Sequence, residues 1–193
     1  MKKFILSIIF YFFFSTFTFS HVQHYSDINY LEYDLYRNNN LIGTHKYDFI
    51  RKGQNLTVKS EVNFKISKLG IDLYKYFAIS DENYKNGKFH SFSSKTKQNK
   101  KDKFVNIELN NEKNKLKIKG SSFTGDGNLD YIVGTWWNHQ IIKAKAQISA
   151  ISGRIIEQKV VFLGKKKIDI DGKSYNSLHF KFLSSDESLP DNK

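Results

Sequence analysis

The 193-residue chain contains no cysteine, one proline and one methionine. Without cysteine there is no disulfide to staple the fold and no lipobox thiol to carry an acyl anchor. Burial and strand pairing must therefore hold the protein together. The scarcity of proline and methionine accompanies abundant Lys, Asn, Ile, Phe and Tyr, as AT-rich coding favours. Catalytic signatures are also missing. There is no Gly-x-Ser-x-Gly elbow, and the serines fall mostly in expected turns. The three glycines of the segment 120–128 lead into Asn128 rather than the Lys-Ser or Lys-Thr pair of a phosphate-binding loop. His21, His24, His45, His90, His139 and His179 share no metal-ligand spacing, so neither a metal nor another cofactor is expected. No helix before residue 134 is long enough to serve as a βαβ crossover.

One apolar run does stand out. After Met1-Lys2-Lys3, the stretch from Phe4 to Phe14 is interrupted only by Ser7 and closes in small residues around Thr18 and Ser20. A basic start, an apolar centre and a small-residue end describe a secretory signal peptide, expected here over residues 1–20 with cleavage after Ser20. A spanning helix needs about 20 apolar residues, and Ser15, Thr16 and Thr18 already break this run. No transmembrane span is expected once the signal is removed. What remains suits one domain over residues 21–183, followed by a polar tail over 184–193. The expected destination is a bacterial periplasm, with the protein soluble or peripherally bound.

The formal net charge is +12, which invites a nucleic-acid reading. Lys2 and Lys3 leave with the signal, and the other lysines are spread along alternating segments. The two densest clusters, Lys95 to Lys103 and Lys165-Lys166-Lys167, fall at expected turns without any nucleic-acid-binding motif. No nucleic-acid partner is expected. An anionic envelope surface is the natural partner for a basic exported protein, because long-range attraction needs no specific site.

Alternation of period two dominates the rest. Leu56, Val58, Ser60, Val62, Phe64 and Ile66 alternate with polar residues over eleven positions, which reads as a half-buried strand. Leu31 to Leu35 and Leu41 to Phe49 repeat the pattern. Residues 37–40 and 52–55 separate these runs and are rich in types that accept left-handed turns. Further runs follow at 71–79, 89–97, 105–109 and 116–118, with turns about every ten residues. The expected fold is mostly β, an antiparallel meander curled into a barrel or half-barrel. One short helix is expected near residues 135–142, with Thr135 as its N-cap. Strands at 155–163 and 168–171 and a last strand with Leu178, Phe180 and Phe182 on one face complete the domain. The polar end offers no closing strand, so a final hairpin is expected beyond it.

Leu41-Ile42-Gly43-Thr44-His45, Ile71 to Tyr76, Trp136-Trp137-Asn138 and Ser152-Gly153-Arg154-Ile155 together resemble an uncharacterised bacterial family of exported, β-rich periplasmic proteins. The resemblance spans roughly residues 27–183. It implies a curled antiparallel sheet and no assigned reaction. It also implies a C-terminal Trp-Tyr-Asp hairpin that this chain lacks.

Two groups of residues could form a ligand site. Trp136, Trp137, Asn138 and His139 combine large aromatics with an amide and an imidazole, and would line or close a pocket mouth; as core, one Trp would merely plug the barrel end. His45 and Tyr47 share the apolar face of their strand, with Gly43 leaving room above His45. Three functions follow. A binding or carrier module would enclose a lipid or other apolar small molecule. A structural or interaction module would have a filled core and use a sheet edge. An enzyme would use His139 and Asn138 for acid-base chemistry, and has the least support.

Overall fold

Long alternating runs become long strands, because each places its apolar residues on one side. The computed structural model describes residues 27–170 and 172–184. The expected signal peptide and the tail after Ser184 lie outside them. Eight consecutive strands form one sheet: β1 (Tyr30–Arg37), β2 (Asn40–Lys52), β3 (Asn55–Lys68), β4 (Ile71–Lys85), β5 (Lys88–Gln98), β6 (Lys101–Asn110), β7 (Lys115–Gly120) and β8 (Thr124–Gly127). Each pairs antiparallel with its neighbours in sequence order. Residues in left-handed conformations turn several of the hairpins, among them Asn38 and Asn39, and Asn86 with Gly87. That is the turn chemistry two-residue hairpins demand.

The meander is as expected, but the barrel is not. Strands β1 and β8 are opposite edges of an open sheet, and the sheet neither closes nor curls strongly. A second, four-stranded sheet follows, ordered β12-β11-β10-β9. Its members are β9 (Ile132–Val133), β10 (Ala146–Ile148), β11 (Ile155–Ile170) and β12 (Lys173–Ser184). The two short strands run parallel, and the two long ones form a hairpin. Residues read as two strands, 155–163 and 168–171, fall as far as Ile170 in the single strand β11, which a bulge at Phe162–Gly164 carries past the glycine. Sequence alternation breaks at such a bulge although hydrogen bonding resumes beyond it.

The register sets one inner face. Across the sheet, Phe49 lies beside Val58, Val58 beside Glu82, Glu82 beside Phe92, Phe92 beside Ile107 and Ile107 beside Ile118. The segment 131–155 covers this face in two clusters. Val133 and Ile148 pack with Phe92, Val105, Ile107, Leu116 and Ile118, while Trp137 packs with Tyr47, Phe49, Leu56, Val58 and Tyr84. Phe89 touches both. Each fully buried aliphatic or aromatic side chain contributes about 1.5–3 kcal/mol, so closing this face is the main source of stability. The outer face carries cross-strand charges, including Lys46 with Glu32 at 3.3 Å and Lys59 with Asp81 at 3.9 Å. Exposed pairs of this kind add under about 1 kcal/mol.

Candidate functional site

The expected helix over 135–142 is a four-residue 3-10 turn, His139–Ile142, with Asn138 rather than Thr135 as its N-cap. Thr135 has a different task, because a buried carboxylate across the core competes for its hydroxyl. Glu82 sits on the apolar face of β4, 2% exposed. Its Oε2 accepts hydrogen bonds from Thr135 Oγ1 at 2.9 Å and from Trp137 Nε1 at 2.8 Å, and its Oε1 accepts one from Tyr84 Oη at 2.5 Å. Asn138 Nδ2 donates to Tyr84 Oη at 3.3 Å, while Asn138 Oδ1 accepts from the Gln140 backbone N–H at 3.0 Å. Burial pushes the Glu82 carboxyl above the usual carboxylate range, against the pull of its three donors. Burial, and then the Glu82 charge, hold the Tyr84 phenol well above its ordinary value.

This network forms the polar floor of a half-open cleft of about 530 Å³. The ends of β4 to β7 make one wall and residues 129–144 the other. Phe89, Leu109, Leu116, Leu129, Ile132 and Val133 supply its apolar lining, and Lys88, Lys143 and Asp130 stand at its rim. Glu82, Tyr84 and Asn138 reach it from the network, and Tyr131 and Gln140 add further polar groups to its lining. A concave apolar surface with a few convergent polar groups is the usual form of a small-molecule site. A neighbouring depression of about 540 Å³ is ringed by Asp130, Lys145, Glu157 and Lys159 and lacks such a wall.

Of the six candidate residues, only Asn138 lines the cleft. Trp137 is core: it is 5% exposed and meets Phe49 and Tyr84 edge-on at 5.5 and 5.8 Å. Trp136 points the other way, 59% exposed at φ +65°, its ring 5.3 Å from Phe182 of β12. His139 is half-buried as the first residue of the 3-10 turn.

His45 and Tyr47 form a separate cluster. Tyr47 Oη donates to the Thr135 carbonyl at 2.5 Å, so it faces the His45 Nδ1, 3.4 Å away, as an acceptor. Nδ1 then carries the proton, and Nε2 accepts from Ser60 Oγ at 2.9 Å. Desolvation lowers the imidazole pKa to about 4, so the ring is neutral near pH 7. Gly43 does not leave space for a ligand above it: a Cβ there would lie 2.0 Å from the Asn63 carbonyl oxygen and 2.5 Å from Phe64 Cα. The space belongs to the neighbouring strand.

Glu82 was missed in the sequence. Its signal was a charge in phase with the apolar residues of β4, since Ala78, Ser80, Glu82 and Tyr84 share a face.

Fold and cleft together define a mostly β protein in which an open antiparallel meander is covered on one face by its C-terminal third. A family model described as a domain of unknown function (DUF6134) matches residues 33–190, and the chain belongs to that family. This bears out the resemblance to an uncharacterised domain family. No curated protein and no solved structure gives a match.

Proposed function

We propose that the protein is an exported binding or carrier module for an amphipathic small molecule, held in the cleft above Glu82. The observation that carries this reading is the union of an apolar wall with a buried polar floor in one cavity of about 530 Å³. An acyl or isoprenoid tail would lie against Leu116, Leu129 and Ile132. Its polar end would meet either the floor amides and hydroxyls or the Lys88 and Lys143 ammonium groups at the rim. Three donors already satisfy the Glu82 carboxyl, so it can lie beneath a hydrocarbon chain without an unpaired polar group. Two lysines against one aspartate at the rim select an anionic head group over a cationic one. The signal-like N-terminus supports export to a bacterial periplasm, where amphipathic molecules need carriers to cross water.

Native mass spectrometry of protein purified from its own envelope tests this reading, with Leu129→Trp as the comparison. Leu129 stands at the mouth, 45% exposed, so an indole there blocks entry without disturbing the core. The expected result is a lipid-sized adduct on the wild type that the variant loses. Apo protein across repeated preparations, with no thermal shift from added fatty acids or lysophospholipids, overturns the proposal in favour of a filled interaction module.

A further inference from the structure

The β11–β12 hairpin is longer than the body can cover. Its base is held to the body through Gln158, whose side chain donates to the carbonyls of Ile141 at 2.7 Å and Ala144 at 2.9 Å. Beyond Phe162, eight more residues of β11 run outward, roughly 25 Å of strand at about 3.3 Å per residue. Apolar side chains stay exposed along this length: Phe162 at 54%, Leu163 at 52%, Ile170 at 52% and Leu178 at 59%.

The pairing divides these side chains between two faces. Val160 lies opposite Phe182, Phe162 opposite Phe180, and Leu178 continues the same side past the bulge. Phe162 and Phe180 are in ring contact at 5.2 Å, and Trp136 extends the row from the body through Phe182. The other face carries Lys159, Lys181, Lys166 and Lys173, with Ile168, Ile170 and Tyr175 near the tip. From Lys159 to Lys181 the sequence holds six lysines against Asp169 and Asp171.

We propose that this hairpin is a docking element for an anionic phospholipid bilayer. The aromatic row with Trp136 lies at the boundary between head groups and acyl chains, and the lysines reach the lipid phosphates. Amphipathic elements bind interfaces in this way, through apolar burial on one side and attraction to anionic lipid on the other. Lysine stems also cover apolar surface while keeping the ammonium in the polar layer. The charge argues against a second copy of the chain as the occupant. Two identical hairpins packed through the aromatic face would bring together Lys165 and Lys167 of both copies, which share that face with Leu178 and Asn176, and like charges at close range repel. Trp136 supports the outward role, because a bulky residue held at positive φ is a strained arrangement that presents its ring to solvent.

The test is flotation of the full chain with vesicles of phosphatidylcholine alone and of phosphatidylcholine mixed with an equal part of phosphatidylglycerol. Wild type, a Phe162→Ser/Leu178→Ser variant and a Lys165→Glu/Lys166→Glu/Lys167→Glu variant share the same N-terminal segment, so differences between them report the hairpin. All substituted side chains are exposed, and circular dichroism with a thermal melt checks that each variant is folded. The expected result is binding to anionic vesicles only, weakened by salt, and reduced about tenfold or more in both variants. Vesicles should also blue-shift tryptophan emission in the wild type but not in Trp136→Phe, because Trp137 is already buried. Absence of vesicle binding, or equal binding by the charge-reversed variant, overturns the proposal. So does a concentration-dependent dimer that ignores vesicles and is lost on Phe162→Ser/Leu178→Ser. Leu129→Trp should bind vesicles as the wild type does, so failure of the cleft reading and failure of this one are separable.

Discussion

Trp137 Nε1 donates to Glu82 Oε2 across 2.8 Å, joining residues 55 positions apart and tying the covering segment to the centre of the sheet. Removing the carboxylate leaves three buried donors, on Trp137, Thr135 and Tyr84, without their acceptor. Glu82→Ala should destabilise the fold by about 3–5 kcal/mol, measured by urea unfolding, since each orphaned buried polar group costs about 1–3 kcal/mol.

Glu82→Gln should behave differently, and pH separates the two effects. The folded-state pKa of Glu82 is raised above its unfolded value, so the native state binds the proton more tightly than the unfolded chain does. Stability from this group is full below the unfolded pKa of about 4.3 and declines as pH rises through the folded pKa. The amide cannot ionise, so Glu82→Gln should flatten that decline and gain on the wild type as pH rises. A parallel pair of stability curves between pH 4 and 9 would show that the carboxyl is not perturbed in this way.

His45 acts in the opposite sense. Its folded pKa of about 4 lies below the unfolded value of about 6.5, so the unfolded chain takes up the proton first. The associated stability is present above about pH 6.5 and is lost as pH falls toward 4. Partial exposure screens the effect to about 1 kcal/mol. His45→Gln should remove this part of the acid sensitivity, read as a smaller drop in melting temperature between pH 7 and pH 4.5.

Two glycines should respond differently to alanine. At Gly43 the new Cβ collides with the backbone of β3, and the expected cost is about 3 kcal/mol with loss of hydrogen-exchange protection along β2. Gly53 has nothing within 4 Å of a new Cβ but sits at φ +58°. Only the left-handed conformation penalises alanine there, by about 1 kcal/mol.

Much of the sheet was legible because its physics is local. Asn38, Asn39 and Asn86-Gly87 mark their own turns, and alternation marks the buried side of each strand. Closure was not legible, because it depends on whether β1 meets β8, and no residue on either strand encodes that meeting. The strand β8 lies in the Gly- and Ser-rich segment 120–128, where pairing with β7 overrides the low strand propensity of Thr124-Gly125-Asp126-Gly127. The Trp-Trp-Asn-His run stands out in the sequence as dense in chemistry. Its division was hidden, because the positive φ of Trp136 sends one indole outward and the next into the core. The carboxylate that organises the site lay far away in sequence, and its buried side could be read only from its phase with Ala78 and Tyr84.

The order of the strands has a kinetic consequence. Every pairing in the eight-stranded sheet joins sequence neighbours, so hairpins can form as the chain becomes available, with short loops to close. Burial is not local in that sense: Tyr47 waits for Thr135, 88 residues on, and Ser94 Oγ waits for the Ala150 carbonyl. A chain emerging from its N-terminus would therefore hold an assembled but unroofed sheet until its last third arrives. The cooperative step should coincide with docking of residues 131–155, and a stalled chain ending before Thr135 should be sticky and protease-sensitive despite having most of its strands.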